Sequence, residues 1–156
     1  MEKIKLKRQK LLEALDRLGE SLEDLEKVRQ LTDQQLKELA SQFDFLEKER
    51  MYRSRRDSLI QRFEFCSDLF WKYLKIYMTD QLKRNVEVNA PESVIRDAHN
   101  AKIISEQDTR NLIEMIDDRN MSTNIYKEEI ADQIGLKIAL YYDIMRKYAN
   151  NLKPHE

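Results

Sequence analysis

The spacing of apolar residues is helical in every segment of the chain that shows a clear pattern. In the N-terminal segment these residues recur mainly in steps of three and four, at Ile4, Leu11, Leu15, Leu18, Leu22, Leu25 and Val28. Such steps place the side chains on one stripe of an amphipathic helix, which packs against a partner helix. A second stripe runs from Leu36 to Leu46, after candidate caps at Thr32 or Asp33. The first part of the chain therefore predicts helices.

The strongest apolar pattern predicts a central helix over about residues 58–84. Its stripe consists of Leu59, Phe63, Cys66, Phe70, Tyr73 and Tyr77. Phe65 and Trp71 add further aromatic side chains beside this stripe and widen the apolar surface. We therefore expect the helix to be buried on most sides. Over 50–57 the preceding stripe gives way to arginines, which indicates either a break or a length of helix in solvent.

Further helices are predicted after residue 90. Pro91 is tolerated in the first turn of a short helix, and Ser105 with the acidic residues after it predicts the cap and first turn of the next one. Residues 117–124 have no usable stripe and predict a turn, and the last helix carries apolar residues from Ile130 to Met145.

These elements together predict an all-α fold, an up-and-down four-helix bundle with additional short helices. We expect one domain over 1–156, in which 26–56 forms a helical insertion or extension and 150–156 a frayed tail.

Composition supports this fold and excludes several function classes. The chain has two glycines and two prolines in 156 residues, so it lacks the glycine-rich loops of a dinucleotide or P-loop fold. The net charge of −1 gives no argument for nucleic-acid binding. The longest apolar run is too short to span a bilayer and the charged N-terminus does not look like a secretory signal, so we expect a cytoplasmic protein without a membrane partner.

Few residues are suited to catalysis or metal binding. The two histidines, His99 and His155, form no metal motif, and Cys66 falls on the apolar stripe, where we expect an inert core thiol. We therefore expect no metal site and no cofactor. Glu64 lies at the edge of the buried stripe beside Trp71, so its carboxylate needs a partner, most simply a salt bridge.

The predicted turn near residue 120 concentrates polar groups between two amphipathic helices. Arg119 offers a planar fork that suits phosphate, and Tyr126 offers a hydroxyl near the start of a helix. Side-chain chemistry alone also allows a plain helix end with a solvated arginine. The arginines over 50–56 leave the same two choices, a phosphate contact or a solvated helical face.

Three sequence blocks, taken in order, resemble a known family. They are DSLIQRFEFCSDLFWKYLK (57–75), APESVIRDAHNAKII (90–104) and LIEMIDDRNMSTNIYKEE (112–129). Together they look like the nucleotidyltransferase substrate-binding proteins, a branch of the HEPN superfamily, and the resemblance covers about residues 57–145.

The resemblance implies a helical bundle that forms a homodimer and associates with a small, separately encoded nucleotidyltransferase. Some relatives are toxins of toxin–antitoxin pairs, namely metal-independent ribonucleases with an Arg-Asn-x-x-x-His motif. Their partner silences them by adenylylating a nearby tyrosine. On that interpretation RNA is a further partner.

Carried onto this chain, the motif matches Arg119 and Asn120, and the modified tyrosine matches Tyr126. Asn124 stands in place of the histidine, and Glu64 occupies the family's acidic position. An amide exchanges no protons near neutral pH, and the loss of general acid–base catalysis typically costs about 10²–10⁴-fold in rate.

We therefore expect a non-catalytic subunit that binds a nucleotidyltransferase and contributes to its substrate cleft, with Trp71 and the Arg119–Tyr126 segment on that cleft. A degenerate ribonuclease, adenylylated on Tyr126, is the alternative, and a helical dimerisation bundle whose motif is a relic is the third interpretation.

Overall fold

All regular structure in the described residues is helical. The computed structural model describes residues 2–30, 45–121 and 128–155. The helices are α1 (Glu2–Arg29), α2 (Phe45–Ile76), α3 (Pro91–Asn100), α4 (Glu106–Met121) and α5 (Glu128–Asn151). One π-helical turn, Tyr77–Gln81, extends α2. The predicted all-α fold is confirmed.

Helices α1 and α2 pack against each other in opposite directions. The guanidinium of Arg62 donates to the main-chain oxygen of Arg17 at 2.9 Å, and Arg55 lies 3.8 Å from Asp24. Residue numbers therefore rise along α1 as they fall along α2, which is the antiparallel arrangement of neighbouring helices in a bundle.

Helix α5 runs parallel to α2. Near one end Arg56 donates to Asp132 at 3.0 Å, and near the other end the hydroxyl of Tyr73 donates to the main-chain oxygen of Leu152. Residue numbers therefore rise in the same direction along α2 and α5. The chain must return along the bundle between these two parallel helices.

Helix α4 forms this return segment and runs antiparallel to α5. Lys137 pairs with Asp118, whereas Lys147 pairs with Asp108. The four long helices therefore alternate in direction along the chain, as an up-and-down bundle requires.

The core consists of the predicted stripes. Buried residues include Leu11, Leu15, Leu18, Leu59, Phe63, Cys66, Phe70, Tyr73, Leu112, Ile138 and Met145. The ring of Phe63 stacks on that of Tyr141 with centroids 5.7 Å apart. Aromatic pairs of this kind contribute beyond the area that they bury.

The arginine-rich stretch is a continuous part of α2, because the helix runs unbroken from Phe45 to Ile76. Arg50, Arg53 and Arg55 are exposed, as a solvated face requires. Arg56 differs, since it is only 4% exposed and pairs with Asp57 and Asp132. Most of the stripe predicted over 36–46 lies outside the described residues.

Three features differ from the sequence prediction. Regular α-helix ends at Ile76 rather than near residue 84. Phe65 is 59% exposed, because it lies on the side of α2 away from the Phe63–Phe70 stripe. The predicted frayed tail is wrong for 150–155, since Leu152 is buried and the main-chain NH of His155 donates to the Gln81 side chain at 2.7 Å.

The start of α4 is capped as predicted. The hydroxyl of Ser105 accepts from the main-chain NH of Asp108 at 3.1 Å. Burial alone would raise the pKa of Asp108, but hydrogen bonds from Lys147, Tyr148 and Ser105 outweigh it and lower that pKa. The Asp108 carboxylate therefore stays ionised and joins α4 to α5.

In the described ranges, no helix combines the length and apolarity needed to cross a bilayer. The expectation of no membrane partner rests on the same absence of a long apolar run.

The two glycines lie inside helices and predict different responses to alanine. A Cβ at Gly135 in α5 would meet no atom within 4 Å, whereas one at Gly19 in α1 would lie 2.9 Å from the hydroxyl of Tyr142. Since alanine favours a helix interior by about 0.8–1.0 kcal/mol over glycine, Gly135→Ala should raise the free energy of unfolding by about that amount. Gly19→Ala should give a smaller gain or a loss. Urea denaturation of both variants measures this, and an equal gain in both would contradict the contact with Tyr142.

Candidate functional site at the end of α4

The polar segment to which the resemblance assigns the Arg-Asn motif begins inside a helix. Helix α4 continues to Met121, so the turn predicted over 117–124 is wrong for 117–121. Arg119 and Asn120 lie in the last turn of α4, where Arg119 is half-buried and Asn120 is exposed. The helix persists without an apolar stripe because Asp118, a polar residue, occupies the inward position and is hydrogen-bonded there.

Arg119 reaches across to α2 and contacts two carboxylates. Its Nη1 lies 3.6 Å from Oε2 of Glu64. Its Nε and Nη2 each lie 3.3 Å from an oxygen of Asp68, in a two-pronged contact. The side chains of Arg119 and Glu64 are about a quarter exposed, at 25% and 24%. The salt bridge predicted for Glu64 is therefore present.

Asp68 is the member of this cluster that sequence reasoning missed. It lies four residues after Glu64, so both carboxylates face the same side of α2. This four-residue spacing from Glu64, an acid at the edge of the buried stripe, was the sequence signal from which Asp68 could have been predicted. Two carboxylates surround one guanidinium, so a phosphate that approaches Arg119 meets negative charge already in place.

Asp118, the residue before Arg119, anchors the same turn to α5. The hydroxyl of Tyr141 donates to Oδ2 of Asp118 at 2.5 Å, and Nζ of Lys137 lies 3.4 Å from the same oxygen. Lys137 also pairs with Glu114 at 2.9 Å. Burial and the bond to Asp118 raise the pKa of Tyr141, so its hydroxyl remains a proton donor at neutral pH. Consecutive residues of α4 are thus held by two different helices.

Two residues of the predicted site, Asn124 and Tyr126, lie outside the described residues. Trp71 lies on α2 one turn beyond Asp68 and is 8% exposed. The structure therefore brings Arg119 to Glu64 and Asp68, with Trp71 next along the same helix.

Neither histidine lies near Arg119. Nδ1 of His99 is 3.1 Å from the main-chain oxygen of Ile104, just before α4 begins. Arg119 is thirteen residues beyond Glu106 at the start of that helix, which is about 20 Å at 1.5 Å per residue. The main chain of His155 contacts Gln81, which is thirteen residues, again about 20 Å, beyond Asp68 on α2 and its π-helical extension.

Cys66 behaves as predicted for a core thiol. It is buried, and burial raises the pKa of its thiol to about 12. A thiol with so high a pKa is protonated at neutral pH and is a poor nucleophile.

The fold and this cluster define an all-helical bundle protein that presents a charged, arginine-centred surface at one helix end. Residues 13–154 match the family model described as "Nucleotidyltransferase substrate binding protein like". The chain belongs to this family. No curated protein matches the chain significantly.

A solved structure has the same fold. It is a crystal structure of a protein from Thermus thermophilus, which shares 24% sequence identity with this chain. The alignment covers 88% of this chain and 99% of the other, with a TM-score of 0.61. At this identity the likeness concerns the fold alone.

The anchoring of α4 predicts unequal effects for two neighbouring tyrosines. Tyr141→Phe removes the donor to Asp118, whose buried carboxylate then lacks its neutral partner. We expect the free energy of unfolding to fall by about 1–3 kcal/mol. Tyr142→Phe is the matched control, since Tyr142 is half-buried and forms no hydrogen bond to another described residue. Chemical denaturation measures both variants, and a similar loss in each would contradict the assigned role of Asp118.

Proposed function

We propose that this protein is the non-catalytic helical subunit of a two-component nucleotidyltransferase. It binds a small, separately encoded nucleotidyltransferase and contributes part of the cleft that receives the substrate. Membership of the nucleotidyltransferase substrate-binding family supports the association. The end of α4 and the neighbouring face of α2 supply the contact surface, with Arg119 at its centre.

The position of the histidines is the observation that favours a binding role over catalysis. Cleavage of RNA by a ribose 2′-hydroxyl needs a group that accepts or donates a proton near neutral pH. The His99 imidazole contacts Ile104 and the main chain of His155 contacts Gln81, and each contact lies about 20 Å along a helix from the pair of Arg119 and Asp68. Arg119 itself is engaged by Glu64 and Asp68.

The proposal includes a homodimer. Two exposed leucines on α5 support it, because Leu136 is 71% and Leu140 49% exposed, one helical turn apart. Exposed apolar side chains at this spacing are typical of a helix that packs against another protein surface.

Co-expression with the nucleotidyltransferase encoded by the adjacent gene tests the association. We expect the two proteins to copurify and to give the mass of a hetero-oligomer by light scattering. Arg119→Ala should weaken the complex about tenfold or more, as removal of a central interface arginine does. The Arg119→Ala variant should still fold, since a partly exposed ion pair contributes about 1 kcal/mol or less to the free energy of unfolding.

Arg110→Ala is the matched control for this experiment. Arg110 lies on the same helix and pairs with Glu106 on an exposed face, so its loss should leave the complex unchanged. Absence of any complex with the wild-type chain would refute the proposal. An equal effect of both variants would remove the end of α4 from the interface.

A degenerate ribonuclease is the competing function, because Arg119 and Glu64, which match the motif arginine and the acidic position of the family, lie 3.6 Å apart. An RNA-cleavage assay separates the two. We expect the wild-type chain to be inactive, because Asn124 cannot transfer protons. Cleavage by the wild-type chain that disappears in Arg119→Ala would instead establish the ribonuclease. Adenylylation of Tyr126 belongs to the same alternative, and intact mass after incubation with the partner, ATP and Mg²⁺, compared with Tyr126→Phe, tests it.

A further inference from the structure

Four lysines meet where the start of α1 passes the end of α2. Lys3 and Lys7 come from α1, and Lys72 and Lys75 from α2. Within the described parts of the chain, none of the four has a carboxylate within 4 Å. Burial and the charges of the neighbouring lysines lower the pKa of Lys7. Positive charge is therefore concentrated here.

This clustering contrasts with the rest of the bundle. The chain as a whole carries a net charge of −1. Several other basic side chains that reach a neighbouring helix have acidic partners there, including Arg56 with Asp132 and Lys147 with Asp108. A group of lysines without such partners has a positive potential that an anion can neutralise.

The lysines line a pocket of about 370 Å³. Trp71 and Ile76 supply its apolar walls, and Thr79 and Asn89 add polar groups. Nζ of Lys72 lies 5.7 Å from the centre of the Trp71 ring. Nζ of Lys75 donates to Oδ1 of Asn89 at 2.9 Å, which fixes one wall. The volume of the pocket falls within the range of about 300–1,000 Å³ that is typical of small-molecule sites, and its mainly charged and polar lining suits a charged ligand.

We propose that this pocket binds a nucleoside di- or triphosphate. The phosphates contact the lysines of α1 and α2, and the base or sugar lies against Ile76 and the small exposed part of the Trp71 ring. Several ammonium groups around one concavity suit a ligand with more than one phosphate, because the total negative charge of a di- or triphosphate exceeds what a single lysine can balance. The concave shape, bounded by two helices, favours a small molecule over an RNA strand. This site does not depend on the partner or on Arg119.

The tryptophan content of the chain makes the site directly observable. Trp71 is the only tryptophan among the 156 residues, so tryptophan emission reports on this pocket alone. Titration of the isolated protein with ATP, with inorganic tripolyphosphate and with adenosine separates the contributions of phosphate and base. We expect saturating changes with ATP and tripolyphosphate, tighter binding of ATP, weaker binding at higher salt, and none with adenosine.

Charge-removing variants test the assignment of the lysines. Lys7→Gln and Lys72→Gln should each weaken ATP binding about five- to tenfold. Lys5→Gln is the matched control, since Lys5 is an exposed lysine of α1 that does not line the pocket. It should leave the dissociation constant unchanged. Circular dichroism verifies that each variant keeps its helical content.

Three results would overturn the proposal. The first is unchanged Trp71 emission at millimolar ATP and tripolyphosphate. The second is an equal loss of binding in Lys5→Gln and Lys7→Gln, which would indicate attraction by overall charge only. The third is a saturating, Lys72-dependent response to a single-stranded RNA oligonucleotide without a response to ATP, which would make this surface an RNA contact. Because all of these titrations use the isolated protein, failure here is distinct from failure to bind a nucleotidyltransferase.

Discussion

Burial of the apolar face of α2 is the constraint on which the bundle depends. Helices α1, α3, α4 and α5 all pack against α2. Its stripe of aromatic and aliphatic residues can leave water only if each of these helices presents a stripe of its own. In both the antiparallel pair of α1 with α2 and the parallel pair of α5 with α2, the neighbouring stripes meet along the helices.

The same helix also supplies most of the polar chemistry, along the edge of its buried face. Glu64 and Asp68 bind Arg119 of α4. One turn further along α2, Trp71 lines the pocket that contains the four lysines. An edge position leaves these side chains partly desolvated but still accessible, and in this environment a charge strongly prefers a partner of opposite sign. The acidic residues of this edge, Glu64 and Asp68, pair with Arg119 within the bundle. The lysines have no carboxylate partner among the described residues, and for this reason we assign an anionic ligand to them.

The placement of Arg119 depends on contacts between the end of α4 and two neighbouring helices. Asp118 is held by α5 and Arg119 by α2, and these contacts fix the end of α4. Family membership and the geometry of Arg119 therefore agree with a binding role, in which position and charge matter more than acid–base chemistry.

Local sequence spacing was sufficient to predict the helical class and most of the core, because steps of three and four residues report directly which face of a helix is buried. It also indicated that Glu64 needs a partner. The packing of the helices was needed to establish that Arg56 is buried, that Phe65 is exposed and that residues 152–155 are held against the bundle. Those outcomes depend on which helix lies opposite, and this information is absent from local spacing. The same holds for the lysine pocket, since Lys3 and Lys75 are 72 residues apart and meet only when α1 packs on α2.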